Sequence, residues 1–132
     1  MAKLYESGEN YLETILVLHQ KANYVRAVDI AHELDVSKPS VSRAMGILRD
    51  GGFIDIAADG NISLTNSGRE IAERIYERHQ VLSQWLMDLG VPQEIAAADA
   101  CKMEHDISAE SFGALKAHLR SAHPNIRLDP EA

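Results

Sequence analysis

The stretch between residues 24 and 64 restricts the possible folds of this chain more than any other part of it. Residues 27–34 and 38–50 both place apolar side chains at helical spacing, and a short turn separates them. Ser37 is a suitable N-cap for the second helix, and Pro39 falls in its first turn, where proline is tolerated. Because this second helix has one apolar face and otherwise small polar residues, the pattern predicts a helix-turn-helix with a polar recognition helix.

A short hairpin is predicted directly after the recognition helix. Two glycines end that helix, and two β-type runs follow at residues 53–57 and 62–65. Asp59 and Gly60 lie between the runs and are a strong signal for a tight hairpin turn. A hairpin in this position is a wing, and DNA binding explains it better than an incidental hairpin beside two helices.

Charge confines any DNA contact to a local surface. The 132-residue chain has a net charge of −7, which is unlike a generally basic nucleic-acid-binding protein. Residues 21–49 nevertheless hold five basic against three acidic side chains. We expect double-stranded DNA to be contacted by Arg26, Ser37, Lys38, Pro39, Ser40, Ser42, Arg43 and Asn61.

Four further helices are predicted from apolar side chains at helical spacing. They span about residues 5–21, 66–90, 93–104 and 108–122. The long helix from about residue 66 is expected to be capped at Asn66 or Ser67, with Glu70 completing a capping box. Small residues at 95–100 let another helix approach closely, which suits a dimer interface.

Composition excludes several classes of protein. The single cysteine excludes an internal disulfide framework and is typical of a reducing compartment. No apolar run approaches the roughly 20 residues that a membrane span needs, and the N-terminus has no signal-peptide core. We therefore expect a cytoplasmic protein without membrane association.

The C-terminal half carries one group of side chains that apolar packing does not explain. Cys101, Glu104 and His105 stand at positions i, i+3 and i+4, so on a helix they share one face. Each residue alone has an ordinary interpretation, as a buried cysteine, a salt-bridged glutamate or a helix-terminal histidine. Together they offer sulfur, oxygen and nitrogen donors suited to a first-row transition metal, and further ligands must come from elsewhere in the chain.

The order of these motifs resembles the diphtheria toxin repressor and manganese transport regulator family of metal-dependent transcriptional repressors. The resemblance rests on Asn10-Tyr-Leu-Glu13, the winged helix-turn-helix with Ser37-Lys-Pro-Ser-Val-Ser, Arg78-His79, and Cys101-x-x-Glu104-His105. The resemblance covers the chain to about residue 122. Within this family, the chain is similar to the short form that lacks an SH3-like domain. The resemblance implies a homodimer that binds a palindromic DNA operator and controls metal homeostasis genes.

Carried over position by position, the resemblance implies a hybrid metal site. The Cys-x-x-Glu-His motif matches the primary site of iron-type members, and Asn10 stands where those members place a methionine and manganese-type members an aspartate. Glu13 and His79 match the second site of manganese-type members. The implied ligands are Asn10, Cys101, Glu104 and His105, with Glu13 and His79 in a supporting role. The expected cofactor is Fe(II) or Mn(II), with Co, Ni and Zn as surrogates.

These expectations combine into a mostly α-helical protein with an N-terminal winged helix-turn-helix and a C-terminal helical dimerisation domain. The expected division is a DNA-binding domain at residues 1–68, a helical metal-binding and dimerisation domain at 69–123, and a loose tail at 124–132.

Two other functions stay open from the sequence. One is a metal-independent winged-helix regulator with Cys101 as a redox sensor, although neighbouring acidic residues disfavour the thiolate that such a sensor needs. The other is a small metalloenzyme on a winged fold. The chain shows no Ser/His/Asp set, no glycine-rich phosphate loop and no His-Glu-x-x-His motif, so we expect no enzyme.

Overall fold

The computed structural model describes residues 6–122, and within that range the chain forms six helices and one two-stranded sheet. The elements are α1 Glu6–Lys21, α2 Ala27–Leu34, α3 Lys38–Asp50, β1 Ile54–Ile56, β2 Ile62–Leu64, α4 Asn66–Asp88, α5 Gln93–Met103 and α6 Ala109–Ala122. This confirms the predicted mostly α-helical fold class with a small wing. The tail expected at 124–132 lies outside the described residues. Across residues 6–122, no helix is long and apolar enough to cross a membrane.

The chain divides into two compact units, and α4 begins in the first and ends in the second. The first unit comprises the residues up to Glu73, and the second comprises those from Arg74 onwards. The sequence-based boundary between residues 68 and 69 falls earlier on the same helix.

The helix-turn-helix forms where it was predicted. α2 ends at Leu34, and the left-handed φ of 54° at its C-cap Asp35 lets the Val36 N–H donate to the Ala31 carbonyl at 3.1 Å. Ser37 caps α3, because its Oγ accepts the Ser40 N–H at 3.3 Å. The core of this unit buries side chains from α1, α2, α3 and the wing, each stabilising the fold by about 1.5–3 kcal/mol. They include Leu12, Ile15, Ile30, Val41, Met45, Leu48, Ile54 and Ile62.

The wing has an additional backbone partner that sequence patterns did not reveal. β1 and β2 pair antiparallel, with Ile54 opposite Leu64. On the outer edge of β2, the Ile62 N–H donates to the Val25 carbonyl at 2.7 Å. The Val25 N–H in turn donates to Asn61 Oδ1 at 3.0 Å. The segment before α2 therefore lies along the wing as an added strand would, and it holds the hairpin against the helix-turn-helix.

The predicted cap of α4 is wrong. Thr65, rather than Asn66 or Ser67, caps the helix, because Thr65 Oγ1 accepts the Gly68 N–H at 3.2 Å. The same hydroxyl donates at 2.7 Å to a backbone carbonyl of the loop between α3 and β1. A Cβ at Gly68 would collide with the Phe53 carbonyl oxygen, so the glycine permits this close approach. Three adjacent residues have side chains that can cap a helix, and packing against the start of the hairpin selects Thr65 among them.

The second unit packs α6 against the C-terminal part of α4. Ser108 caps α6, since its Oγ accepts the Ser111 N–H at 3.1 Å. Lys116 Nζ pairs with Glu77 Oε1 at 3.0 Å and joins the two helices at their half-exposed side. The core of this unit contains Val81, Phe112 and Leu119, with Trp85, Ile107 and Leu115 packed against them.

Candidate metal centre and nucleic-acid interface

Glu104 is a fully buried carboxylate that has an imidazole beside each of its oxygens. It follows the last turn of α5, where its N–H donates to the Ala100 carbonyl at 2.9 Å. His79 Nδ1, on α4, lies 3.0 Å from Glu104 Oε2, and His105 Nε2 lies 3.4 Å from Oε1. The side chain of Glu104 is 0% exposed, that of His105 is 2% exposed and that of His79 is 28% exposed. Removing a carboxylate from water is costly unless cations or hydrogen bonds compensate, and the hydrogen bond between His79 and Oε2 offsets part of that cost.

The donor set of this cluster fits a divalent transition metal. His79 and Glu104 offer a nitrogen and an oxygen within 4.8 Å of each other, close enough for a single ion to reach both. Imidazole nitrogens and carboxylate oxygens are donors that first-row divalent metals accept. The buried carboxylate is hydrogen-bonded to His79 and lies 3.4 Å from His105, so a cation at this site would meet oxygen and nitrogen donors together.

Arg78 fixes the backbone that carries Glu104. Its Nη1 donates to the carbonyls of Glu104 at 3.2 Å and Ile107 at 2.7 Å, and its guanidinium lies 5.4 Å from the ring centroid of Phe112. Carbonyls at a helix C-terminus carry partial negative charge, so the buried guanidinium stabilises this end of α5. The sequence offered Arg78 only as a neighbour of His79. Its partners lie 26 and 29 residues away, and no local pattern points to them.

The other expected ligands lie on α5 and on α1. Cys101 is in the last turn of α5, one helical turn before Glu104, and its side chain is exposed. Asn10 and Glu13 are on α1, in the first unit, and both are half-buried. The structure thus brings the two histidines together with Glu104, and it keeps Cys101 at the same end of α5.

The start of α3 presents an exposed polar surface. Ser37 Oγ donates to Ser40 Oγ at 2.8 Å, so the Ser37 hydroxyl is occupied in capping the helix. The Ser40 hydroxyl accepts this bond and keeps its own proton as a donor. The exposed side chains around them are Lys38, Pro39, Ser42 and Arg43. These are the recognition-helix residues that the sequence assigned to DNA.

A cleft of about 370 Å³ lies between the recognition helix and the wing. Its lining combines the basic residues Arg26 and Lys38 with Ser42, and it has an apolar part that includes Met45 and Ile62. This is a local basic surface in an acidic chain, and it suits the phosphates that flank a groove occupied by a recognition helix.

Arg26 is held between the helix-turn-helix and the tip of the wing. Its guanidinium lies 4.7 Å from the ring centroid of Tyr24, and Nη2 donates to the Tyr24 hydroxyl at 3.3 Å. That hydroxyl donates to the Asp59 carbonyl at 2.6 Å. The hydrogen bond to Tyr24 raises the pKa of Arg26. Asn61, also assigned to DNA by the sequence, uses its Oδ1 to accept the Val25 N–H.

Both halves of the chain match models of known protein families. Residues 3–62 match the N-terminal DNA binding domain of the iron dependent repressors, and residues 65–130 match their metal binding and dimerisation domain. The chain belongs to the iron-dependent repressor family.

Individual repressors are similar to it over most of its length. The transcriptional regulator MntR of Salmonella typhimurium is 38% identical over 109 residues, which cover 83% of this chain and 69% of that protein. The iron-dependent repressor IdeR of Mycobacterium tuberculosis is 32% identical over 111 residues, which cover 83% of this chain and 48% of that protein. A solved manganese-dependent transcriptional repressor in complex with manganese has a TM-score of 0.78 at 26% identity, covering 85% of this chain and 52% of that one. The chain spans about half the length of IdeR and of that solved structure.

As an iron-dependent repressor family member, this protein is a metal-dependent, DNA-binding transcriptional repressor and not an enzyme. This confirms the function that the sequence predicted. The two matched domains imply DNA and a second copy of the chain as partners. Relatives named for manganese and for iron both match it, so the family assignment alone does not select between the two metals.

Proposed function

We propose that this repressor binds Fe(II) or Mn(II) at a centre built around Glu104, and that metal occupancy switches on its binding to a palindromic operator. The observation that carries the proposal is the buried Glu104 carboxylate with His79 and His105 beside its two oxygens. Cys101 and Asn10 complete the set as ligands, and Glu13 joins His79 in a supporting role. The genes under control are those that keep the cellular level of the metal constant, and the site of action is the cytoplasm.

The donor types support Fe(II) and Mn(II) over other ions. Carboxylate and amide oxygens from Glu104, Glu13 and Asn10 favour harder divalent ions, whereas the Cys101 thiolate favours softer ones. Fe(II) lies between these preferences, and Mn(II) follows closely because three of the donors are oxygens. Co(II), Ni(II) and Zn(II) accept the same donors and would act as surrogates in solution.

The proposed switch depends on ligands from both units of the chain. When bound, the divalent ion supplies positive charge that offsets the carboxylates and the thiolate. Glu104, His105 and Cys101 hold their positions at the end of α5, and Arg78 keeps that end in place. Coordination of the same ion by Asn10 and Glu13 of α1 would restrict the movement of the DNA-reading unit relative to the dimerising unit. A dimer restricted in this way presents its two recognition helices at a fixed spacing of roughly 34 Å, one turn of DNA.

Exposed apolar side chains support the proposed homodimer. Leu89, at the end of α4, is 65% exposed, and Ile95 on α5 is 53% exposed. Ala96 and Ala100 are buried on the other side of α5. Large apolar side chains exposed near each other in sequence suit an interface between two copies.

The test is DNA binding measured across a series of metals. A duplex selected by the protein from a random pool would be titrated with protein in the presence of Mn(II), Fe(II), Co(II), Ni(II), Zn(II) or a chelator. We expect the tightest binding with Fe(II) or Mn(II) and none above background with chelator. Equal binding with chelator and with every metal would contradict the proposal. DNA binding is also measured with a peroxide-treated, metal-free sample. A regulator that senses oxidation through the exposed Cys101 would change its DNA affinity on this treatment, whereas we expect no change for a metal-dependent repressor.

A further inference from the structure

His19, near the end of α1, makes a direct hydrogen bond to the wing. Its Nε2 lies 2.6 Å from the carbonyl oxygen of Ile62 in β2, and 43 residues separate the two. The imidazole is half-buried, and Ile62 is 2% exposed. Nothing in the local sequence around His19 points to a strand so distant in the chain.

The bond closes the outer edge of the wing. Ile56 lies opposite Ile62 in the antiparallel register, and the N–H of Ile62 points away from β1 towards the Val25 carbonyl. In an extended strand, the N–H and the C=O of one residue point to the same side. The Ile62 carbonyl therefore also lies on the outer edge of β2, and the His19 side chain supplies its donor.

The chemistry of His19 Nε2 and the Ile62 carbonyl oxygen determines which of them carries the proton of the hydrogen bond. A backbone carbonyl oxygen only accepts hydrogen bonds, so Nε2 of His19 must carry the hydrogen. Neutral His19 is then the Nε2–H tautomer, and its other ring nitrogen is not the donor in this contact.

We propose that His19 is a positioning residue that ties the position of α1 to the position of the wing, so that restraint of α1 by the metal centre is passed to the DNA-facing hairpin. The inference rests on the proposed function, since it assigns a purpose to ligands on α1. Glu13 precedes His19 by six residues on the same helix, which is about 9 Å at 1.5 Å per residue. A helix of this length moves as one body, so a restraint at Glu13 acts on the imidazole as well.

A restraint on the wing also affects the basic cleft beside the recognition helix, because Ile62 helps to line that cleft. The tip of the same hairpin is bonded to Tyr24, whose ring supports the Arg26 guanidinium. Displacing the outer edge of β2 therefore alters the place of both the cleft wall and Arg26. His19 is neither one of the proposed DNA-binding residues nor one of the proposed metal ligands, and it acts through Ile62.

Two replacements of His19 separate a positioning role from a general contribution to stability. His19→Leu fills similar space but removes the donor, whereas His19→Gln retains a side-chain N–H that can reach a carbonyl. His32→Leu, at an exposed histidine on α2, is the matched control in the same unit. The three variants and wild type would be compared in Fe(II) or Mn(II) affinity, in affinity for the selected DNA at saturating metal, and in amide exchange of Ile62.

We expect His19→Leu to weaken DNA binding about tenfold and to speed exchange of the Ile62 amide about tenfold, since a buried carbonyl loses its donor. Its metal affinity should stay within about twofold of wild type, because the metal centre is untouched. His19→Gln and His32→Leu should behave as wild type in all three measurements. Wild-type DNA binding by His19→Leu, or an equal loss in His19→Gln, would overturn the proposal. So would a loss of metal affinity as large as the loss of DNA affinity.

A spectroscopic measurement on wild type decides the case if His19→Leu does not fold. The ¹⁵N signals of His19 should show Nε2 protonated and coupled across the hydrogen bond to the Ile62 carbonyl, and an unprotonated Nε2 would overturn the proposal. This readout is taken without metal, so it is independent of the proposed function. That function fails separately if wild-type DNA binding ignores metal.

Discussion

His79 Nδ1 lies 3.0 Å from Glu104 Oε2, although 25 residues separate them in the chain. The two atoms form a hydrogen bond when the nitrogen carries a proton, and an unprotonated nitrogen has a lone pair available for the proposed metal. In the proposed centre, the same side-chain positions would serve with and without metal. Such preorganisation would limit how much of the chain must move when metal binds.

Replacing His79 tests its supporting role. His79→Ala removes one nitrogen from the cluster but leaves the buried carboxylate and His105 in place. We expect metal affinity to fall about tenfold, the range typical of groups that orient a metal ligand, with DNA binding restored at high metal concentration. Isothermal titration with Mn(II) measures the change. His118→Ala, at an exposed histidine on α6, is the control and should bind metal as wild type does. Unchanged affinity in His79→Ala would remove His79 from the centre.

Replacing Arg78 tests the support of the α5 terminus. Arg78→Met keeps the length and apolar packing of the side chain but leaves the carbonyls of Glu104 and Ile107 without their charged donor. Hydrogen bonds to charged groups contribute about 1.5–3 kcal/mol, so we expect the free energy of unfolding to fall by about 2 kcal/mol or more. Urea titration of metal-free protein measures it. Arg120→Met, at an exposed arginine on α6, should change it by less than about 0.5 kcal/mol. Equal stability of the two variants would contradict the assigned role.

The recognition helix should separate base contacts from phosphate contacts. Arg43→Ala is expected to reduce discrimination between the selected duplex and a scrambled one by about 1–3 kcal/mol, because an arginine early in a recognition helix reaches base edges. Lys38→Ala should weaken both duplexes alike and lower the slope of log affinity against log salt by about one unit. Fluorescence anisotropy across a salt series gives both quantities. If neither variant changes affinity, the DNA surface lies elsewhere.

Cys101 should decide the choice of metal. Cys101→Glu replaces a soft thiolate by a hard carboxylate, so the response should shift towards Mn(II) and weaken for Fe(II), Co(II) and Zn(II). Cobalt provides an optical check, because a Co(II)–thiolate bond gives a near-ultraviolet charge-transfer band. Wild type should show this band and Cys101→Ser should not. Co(II) binding by wild type without the band would mean that Cys101 is not a ligand.

The parts of the fold that follow from local signals were predictable. α2 and α3 have the predicted bounds because the Ser37 cap, the glycines after α3 and the apolar spacing all agree. The cap of α4 could not be predicted from the sequence. Thr65, Asn66 and Ser67 all have side chains that can cap a helix, and only packing against the hairpin selects Thr65.

The residues of the candidate site were likewise predictable only where a local motif marks them. The spacing of Glu104 and His105 marks them in the sequence, and the motif resemblance adds His79. The contacts of Arg78 and His19 join residues 26 to 43 positions apart, so their roles could not be predicted from local spacing. The packing of the helices creates these contacts, and no local spacing encodes them.

The most direct test compares wild type with Glu104→Gln in DNA binding with and without metal. The substitution keeps the size of the side chain but removes its charge, and circular dichroism confirms that the variant is folded. Wild-type affinity for the selected duplex should rise about 100-fold on adding Fe(II) or Mn(II), a coupling of ordinary size for an allosteric regulator. Glu104→Gln should show no rise, whereas Glu110→Gln, at an exposed glutamate on α6, should respond as wild type does. A full metal response in Glu104→Gln would contradict the central claim that the buried carboxylate forms the metal centre.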